Sequence, residues 1–477
     1  MAVPPDLLNV PSLHACNITL VGTPPISYLI SAVVVDRVRP KTCAHTDCCG
    51  KIESAGTRQL TLGDTPHGGL PTRIGLSYRR WRCTDPARRK GSLIRDPLPV
   101  MAASGHRLTP RLVRHVENMA IDLPFSTVAR LTGVAERQVR EIFYEMARSA
   151  DELFPIEAPR ILGIDEVHLN KRRGCAVFTD IGRSRIIDIT QSRSAETVIA
   201  TLLGMTNWQA IRVATMDMCD AYADAIRKVR PCLPIVLDKR HVIDLIRQGM
   251  DQIRRDLRLS LPKGQRRLLS GDAKLFNKRR FKLSNQEKST LSVWRERFPV
   301  LSEAYALKEK IFDIFNRNIS RTAAEEAFDT WRLSMSEELA KAFRPAVDAI
   351  QKRRSEVFNY FDFEGGVTNA YTETANGMIK RIYREARGFG HRFVAKGEKP
   401  ESDAAFWRFR AKVLMKHGGR DLAELARLRV EGKPEQAPDR SADGSNLSIL
   451  ATGPVRQRRC RRVADLRQFD LFLPAAA

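Results

Sequence analysis

Short apolar runs, separated by glycine and basic residues, dominate the middle of the chain. Runs at 161–168, 175–181 and 185–190 have the length and β-branched content of buried strands, at the spacing of a three-strand meander. The pattern then alternates through a helix at 195–204, strands at 211–217 and 233–238, and helices at 220–229 and from 240 onward. This order predicts a mixed α/β domain with the first and fourth strands adjacent.

A second pattern, at 106–150, predicts helices only. Leu112, Val116 and Met119 fit a first helix, and the segment 126–134 fits a helix, a glycine turn and the start of another helix. The last helix has an apolar inner face of Val139, Ile142, Phe143 and Met146. A helix-turn-helix places its last helix in the major groove of DNA. We therefore predict that its outward residues meet bases or phosphates: Glu136, Arg137, Gln138, Arg140 and Glu141. The alternative is an ordinary helical hairpin with a glycine turn.

Two of the predicted strands end in a lone acid. Asp165 closes the run 161–164 and Asp217 closes the run 211–216. The strand order described above is that of a ribonuclease-H-like domain, and neighbouring first and fourth strands would bring Asp165 and Asp217 side by side. Taken one at a time, such acids are as easily turn residues or helix caps.

Glu373 lies on a predicted helix with two faces. Its polar stripe holds positions 369, 373, 376, 380, 384 and 387, and its apolar stripe holds 371, 375, 378, 379, 382 and 386. One face would carry an acid, two amides and three cations, which suits a divalent ion beside phosphate. A solvated polar face is the alternative. Asparagine is a poor helix former, and Gly377 gives Glu373 no helical salt-bridge partner.

Charge narrows the class of partner. The 477 residues include 80 Lys plus Arg and 55 Asp plus Glu, a net charge of +25. An excess of this size predicts a polyanion partner, and charge alone fits RNA or an anionic membrane surface as well as double-stranded DNA. Neither a long apolar span nor a signal peptide is evident, so we expect a cytoplasmic, nucleoid-associated protein with no membrane partner. Cys175, Cys219 and Cys232 lie in apolar surroundings and are predicted to be reduced core thiols.

Residues 41–100 have the layout of a zinc ribbon. Cys43 with Cys48 or Cys49 forms one knuckle, and Cys83 alone represents the second, with Arg88 where another ligand is needed. His45 or His67 can complete a Zn²⁺ site. The alternative is a metal-free remnant held by packing alone.

These patterns predict a multidomain α/β protein. A basic helical insertion, with Arg266, Arg267, Arg279 and Arg280 placed to grip the DNA backbone, separates the second acid from the third. The predicted order is an N-terminal strand segment (1–40), the zinc-ribbon-like module (41–100), the helix-turn-helix (104–150), the catalytic domain (158–258), the insertion (259–365), the last part of the catalytic domain with the Glu helix (366–430) and a basic tail, disordered in part (431–477).

At these motifs the chain resembles the ISL-three (ISL3) family of bacterial insertion-sequence transposases, over roughly residues 5–415. The resemblance rests on the strings 162–168, 216–218 with Tyr222, 237–242, and 369–380 continuing to 389. It implies a ribonuclease-H-like catalytic domain with a helical insertion, an N-terminal zinc ribbon and helix-turn-helix, and the triad Asp165, Asp217 and Glu373. The chain departs from the family pattern at Arg88, at Arg240, where an aromatic usually precedes His241, and at an added segment, 394–400.

The expected activity is metal-dependent cleavage and strand transfer at the terminal inverted repeats of the element. Two Mg²⁺ (or Mn²⁺) ions suit this chemistry, with Asp165 bridging both, Asp217 holding one and Glu373 the other. Asn376, Lys380 and Arg384 are expected to contact DNA; Asp238 and His241 are secondary candidates, for which helix capping is as good an explanation.

We expect element ends and target DNA as partners, bound by a homodimer or higher oligomer. Alternatives are a nuclease that cuts without joining, a non-catalytic DNA-binding regulator and, least favoured, a structural RNA-binding protein.

Overall fold

A computed structural model describes residues 8, 13–22, 26–34, 51–84, 93–95, 105–170, 173–363, 367–385, 399 and 402–431. These residues fall into two compact units. The first consists of residues up to Phe154 together with the segment that begins at Arg420, and the second is Pro155–Gly419.

The first unit contains a five-stranded sheet in the order β1-β2-β4-β3, with β5 paired to β4. Its strands are Leu13–Val21 (β1), Ser27–Val34 (β2), Ile52–His67 (β3), Leu70–Cys83 (β4) and Leu93–Arg95 (β5). Ile30, Ala32 and Val34 of β2 are buried together with Leu62 of β3 and with Ile74 and Leu76 of β4. Because β2 pairs directly with β4, the predicted N-terminal strand segment and ribbon-like module share one sheet.

Three helices follow in this unit: Pro110–Asp122 (α1), Phe125–Thr132 (α2) and Glu136–Leu153 (α3). Gly133 ends α2 with a φ of 71°, a left-handed conformation that favours glycine. The predicted inner-face residues of α3 are all buried: Val139, Ile142, Phe143 and Met146. The rings of Phe125 and Phe143 pack with centroids 5.3 Å apart. This arrangement confirms the predicted helix, glycine turn and helix.

A late segment of the chain completes the first unit. Helix Leu422–Glu431 (α16) buries Leu425 and Leu428, and Arg429 donates to Glu117 of α1 at 2.7 Å. Arg420 pairs with Asp151 of α3. The sequence had assigned residues 366–430 to the catalytic domain, whereas in the structure the second unit ends at Gly419.

The second unit is built on a five-stranded sheet in the order β10-β9-β6-β7-β8. Its strands are Ile161–Asn170 (β6), Arg173–Asp180 (β7), Arg185–Ile189 (β8), Val213–Met216 (β9) and Ile235–Leu237 (β10). The meander β6-β7-β8 is antiparallel, and β9 runs parallel to both β6 and β10. The predicted adjacency of the first and fourth strands of this domain is confirmed.

Helices cover both faces of this sheet. Ala195–Leu203 (α4) and Asp220–Val229 (α5) share a core with Leu162 and Ile164, whereas Ala370–Glu385 (α14) and Asp403–His417 (α15) pack on the side of Val167. The long helix Lys239–Ser260 (α6) leads into the helical insertion. Its further helices are Lys263–Gly271 (α7), Ala273–Asn277 (α8), Asn285–Arg297 (α9), Pro299–Ile314 (α10), Arg321–Leu333 (α11), Glu337–Lys352 (α12) and Arg354–Phe358 (α13).

The predicted core thiols have different environments. Cys175 is a buried thiol and Cys219 a half-buried one. Cys232 is exposed in the turn before β10 and is disulfide-bonded, so its prediction as a reduced core thiol was wrong. An apolar run after it had suggested burial, but the run turns inward only from Leu233 onward.

Candidate active site at the edge of the second sheet

Three acids occupy equivalent positions on three neighbouring strands. The register pairs Ile164 of β6 with Met216 of β9, and Met216 with Leu237 of β10. The next residue on each strand is an aspartate: Asp165, Asp217 and Asp238. β9 and β10 end here, whereas β6 continues to Asn170 in its pairing with β7. The three aspartates therefore lie at the carboxyl edge of β9 and β10, where α/β sheets form their ligand sites.

Asp165 is a buried carboxylate held by amide donors. It is 7% exposed, its Oδ1 accepts the backbone N–H of Glu166 at 2.6 Å, and its Oδ2 accepts Nδ2 of Asn376 at 2.7 Å. Burial, and then the neighbouring charge of Asp217, raise the pKa of Asp165 to about 7. Two carboxylates in contact share a proton or a cation, because both cannot stay ionised without one.

Asp217 has a second ionisable neighbour besides Asp165, the imidazole of His241. Its Nε2 lies 2.8 Å from Oδ1 of Asp217, and this contact raises the pKa of His241 to about 8. Burial pushes the pKa of Asp217 upward, but hydrogen bonds with His241 and Asp165 lower it below its ordinary value. We therefore assign the shared proton of the acid pair to Asp165.

Asp238 has a structural contact of its own. Its side chain accepts the backbone N–H of Arg240 at 2.9 Å and caps the N-terminus of α6, which was the alternative considered for it. Ligand atoms of Asp217, Asp238 and His241 nevertheless lie within 4.8 Å of one another. Among the described residues, this is the one group of three or more His, Cys, Asp or Glu side chains close enough to hold an ion.

Glu373 lies in the first turn of α14 and forms an ion pair with Arg240. The side chain of Glu373 is 29% exposed and that of Arg240 is 61% exposed. The structure therefore brings Asp165 and Asp217 together and gives the third predicted acid a guanidinium partner. That partner stands where the family pattern has an aromatic.

The donor set at this edge suits a hard divalent cation. Carboxylate oxygens of Asp165 and Asp217 are the ligands that Mg²⁺ and Mn²⁺ prefer, and Glu373 is the further predicted acid, on the facing helix. Buried Oδ1 of Asn376, beside Asp165, accepts no hydrogen bond from any described residue. A hydrated cation would supply a water donor to the unpaired acceptor of Asn376. It would also neutralise the repulsion between the two acids in contact.

The predicted DNA-binding residues have varied environments. Lys380 and Arg384 are exposed on α14, and Asn376 is 8% exposed and faces Asp165. On α3, Arg137 is 89% exposed and pairs with Glu141, and Arg140 pairs with Glu136. These α3 contacts are intrahelical ion pairs on a surface, which are weak and easily exchanged.

The insertion arginines divide into two kinds. Arg267 and Arg280 are exposed. Arg266 donates to the backbone oxygens of Leu259 and Leu261, and Arg279 is 13% exposed and paired with Asp313 and Glu309. Arg279 thus has a structural role that charge counting along the sequence did not reveal.

The predicted zinc site cannot be assembled from the described residues. Cys83 ends β4 and is 1% exposed, and Nδ1 of His67 lies 3.0 Å from the backbone oxygen of Thr65. Cys43, Cys48, Cys49 and His45 lie outside the described residues. Zinc binding therefore stays a prediction.

Two residues of the site were interpreted differently from the sequence. Asn369 and Asn376 were placed on a polar face that meets metal and DNA, but both are buried against β6. Their signal was present as two poor helix formers on one face of an amphipathic helix. Arg240 was noted as a departure from the family pattern, but its contact with Glu373 had no signal in the sequence.

Comparison with known families identifies the class of protein. A family model described as "Transposase" matches residues 162–395, a span that includes Asp165, Asp217 and Glu373. A second model, described as "Helix-turn-helix domain of transposase family ISL3", matches residues 97–146. The chain belongs to the ISL3 family of insertion-sequence transposases. No curated protein matches it. Within the described part of the chain, none of the helices combines the length and apolarity needed to span a bilayer.

Proposed function

We propose that this protein is a DDE transposase that binds the terminal inverted repeats of its insertion sequence and catalyses metal-dependent DNA cleavage and strand transfer. The observation that carries the proposal is the contact between Asp165 and Asp217, which lie where the parallel pairing of β6 with β9 ends. Asp165 is buried and Asp217 is half-buried, and two such carboxylates in contact are costly to ionise together without a cation, so the pair is a strong candidate for function.

The architecture around the pair supports a ribonuclease-H-like catalytic domain. An antiparallel meander continues into two parallel strands, helices cover both sheet faces, and the third acid arrives on α14 after a long helical insertion. This is the order expected from the sequence.

We assign the metal to Asp165, Asp217 and Glu373, with Mg²⁺ or Mn²⁺ as the ion and Asp165 shared if two ions bind. When bound, such ions activate the attacking oxygen and stabilise the leaving oxygen of a phosphodiester. The chain itself supplies the ionised carboxylates, and the amides of Asn376 and Glu166 orient one of them. Lys380 and Arg384, exposed on the same helix, neutralise the DNA backbone.

The test is an assay of end DNA with and without Mg²⁺, scored separately for 3′-end cleavage and for strand joining. Asp165→Asn, Asp217→Asn and Glu373→Gln keep side-chain shape and remove the charge that holds metal. Each is expected to reduce cleavage below detection while end binding in EDTA stays within about twofold of wild type, because cleavage requires the ion and binding does not. Near-normal cleavage in any one variant removes that residue from the site.

The ion pair between Arg240 and Glu373 favours a second candidate, a DNA-binding regulator derived from a transposase. A cation held by the third acid opposes metal binding there. End binding without Mg²⁺- or Mn²⁺-dependent cleavage would support this candidate, and cleavage without joining would indicate a nuclease.

Recognition of the ends is assigned to α3. Arg137→Ala or Gln138→Ala should reduce the preference for end DNA over random DNA by roughly 1–3 kcal/mol per lost bidentate contact. The matched controls are Arg267→Ala and Arg280→Ala in the insertion, which should weaken binding to both DNAs alike and flatten the salt dependence. An unchanged preference in the α3 variants would move recognition to another part of the protein.

A further inference from the structure

A connected row of buried polar groups joins the helix that carries Glu373 to the strand that carries Asp165. On α14 and just before it, the row contains Asn369, Thr372 and Asn376, which are 0%, 0% and 8% exposed. On the sheet it contains Thr179 and the backbone of β6. An apolar interface would be expected to slide more easily, because dispersion contacts have little directional preference.

The hydroxyl groups in this row have a defined direction. Thr372 donates to Oδ1 of Asn369 at 2.6 Å, and its oxygen lies 2.7 Å from the hydroxyl of Thr179. Because the Thr372 proton goes to Asn369, the Thr179 hydroxyl is the donor in this shorter contact, in preference to the backbone oxygen of Gly163 at 3.4 Å. Nδ2 of Asn369 then donates to the backbone oxygen of Ile164 at 3.2 Å, one residue before Asp165.

Gly163 allows the close approach on which this row depends. A Cβ added at Gly163 would lie 2.3 Å from the hydroxyl oxygens of both Thr179 and Thr372. A side chain at 163 would therefore collide with both hydroxyls, and either the contact between the two threonines or the approach of α14 to β6 would have to change. The glycine, the two threonines and Asn369 together fix the height of α14 along the strand.

Asn376 has no donor left for DNA. Its Nδ2 donates to Oδ2 of Asp165 at 2.7 Å and to the backbone oxygen of Glu166 at 3.2 Å. A phosphate offers only acceptors, so it needs amide protons that Asn376 has already committed. The remaining Oδ1 is an acceptor and would meet a phosphate with the wrong polarity.

We propose that Asn369, Thr372 and Asn376 are positioning residues of the metal centre, which set the register of the Glu373 helix on the Asp165 strand and fix the rotamer of the Asp165 carboxylate. The inference rests on the proposed function, because it takes Asp165 and Glu373 as the ligands. It replaces the DNA-binding role that the sequence suggested for Asn376. Partners that orient a metal ligand typically change metal affinity by about 10–100-fold when removed.

The experiment measures Mn²⁺ binding to the full chain by electron paramagnetic resonance without DNA, and end-DNA affinity in EDTA. Asn376→Ala should weaken Mn²⁺ binding by roughly 10–100-fold and leave end affinity within about twofold of wild type. Cleavage by this variant should recover as the Mn²⁺ concentration rises, which a general folding defect would not produce.

Thr372→Val is the second variant, and Thr374→Val is its matched control. Thr374 is exposed on the same helix, and its hydroxyl donates within the helix, to the backbone oxygen of Ala370 at 3.1 Å. Thr372→Val should weaken Mn²⁺ binding by roughly tenfold, and Thr374→Val should not change it. Equal effects of the two valines overturn the role of Thr372.

Two further outcomes separate this proposal from the proposed function. Unchanged Mn²⁺ binding with weaker end binding in Asn376→Ala overturns the positioning role and makes Asn376 a DNA contact. If wild type and Asp165→Asn bind Mn²⁺ equally poorly, the metal centre itself is refuted, and this inference with it. If wild type binds Mn²⁺ tightly but does not cleave, the proposed activity fails while the binding data still decide the positioning role.

Discussion

Each of the two units contains a buried aspartate, and the partners of these aspartates differ. In the first unit Asp64 is 0% exposed and accepts hydrogen bonds from Nε of Arg111 and from the hydroxyl of Thr109, both at 2.7 Å. A second nitrogen of Arg111 donates to its other oxygen. In the second unit Asp165 receives neutral amide donors and faces another carboxylate.

The difference separates a structural acid from the acid that we propose as a metal ligand. Arg111 also donates to the backbone oxygen of Leu8 at 2.6 Å, so the Asp64 pair connects the N-terminal segment, the β3 strand and the α1 helix. Its charge is balanced by the protein. Asp165 instead receives neutral amide donors and contacts another acid, Asp217, while the nearby cations His241 and Arg240 pair with Asp217 and Glu373. An acid in this setting is a candidate ligand for a cation from solution.

The largest expected effect is a difference in the free energy of unfolding between variants of the two aspartates. Asp64→Asn leaves Arg111 half-buried without its counter-charge, and loss of one partner of a buried pair costs about 3–5 kcal/mol. Asp165→Asn breaks no buried ion pair, so metal-free protein should lose much less stability than Asp64→Asn does. Calorimetric unfolding without divalent cations measures both. Similar losses of stability in the two variants would contradict the distinction drawn between Asp64 and Asp165.

A smaller effect is expected from pH. Folding raises the pKa of Asp165 from 3.8 to about 7, so the folded state holds a proton that the unfolded state has lost. Stability from this group is present at low pH and is lost as pH rises from about 4 to 7. Folding also raises the pKa of His241 from 6.5 to about 8, so a further loss of stability is expected as the pH rises between these two values. The melting temperature of metal-free wild type should therefore fall with pH relative to Asp165→Asn.

Saturating Mn²⁺ provides the control for this pH dependence. A bound cation favours the ionised carboxylate, so the decline between about pH 5 and 7 should become shallower in wild type and stay unchanged in Asp165→Asn. A parallel pH response of the two proteins without metal would contradict the assignment of the shared proton to Asp165.

The smallest expected effect concerns Arg240. The pair it forms with Glu373 is largely exposed, and exposed pairs contribute about 0.2–1 kcal/mol. Arg240→Ala should therefore lower the half-saturating Mn²⁺ concentration for cleavage by less than about fivefold. Arg255→Ala is the control, since Arg255 is similarly exposed (63%) on the same helix and pairs with Asp251. Weaker metal binding in Arg240→Ala would show that the arginine supports the site.

The sequence was sufficient for the elements with continuous apolar patterns. Strands β6 to β10 lie close to the predicted runs because each is buried on both faces, which gives short unbroken apolar segments. The adjacency of Asp165 and Asp217 follows from strand order alone. Strand β1 was missed because most of its residues are exposed, so its pattern lacks an apolar face.

Sequence patterns did not predict which polar groups contact one another. Periodicity separated the polar stripe of α14 from its apolar stripe, but it does not say whether a polar stripe meets water, DNA or another polar element. Asn369 and Asn376 face the sheet edge, and Lys380 faces solvent, although all three share the predicted stripe. Arg240 and Glu373 are distant in sequence, and their pairing depends on where α14 lies after the chain has passed through the helical insertion.

Helix α16 belongs to the first unit although it follows the second unit in sequence, and this order affects folding during translation. The helix-turn-helix is translated early, but Leu425 and Leu428, which belong to the same unit, emerge only near the end. At about 5–20 residues per second, the growing chain must wait for the whole second unit before this helix is available. The unit that carries the helix-turn-helix is therefore completed only after the second unit has been synthesised, and we expect a chain truncated before α16 to have a less stable first unit.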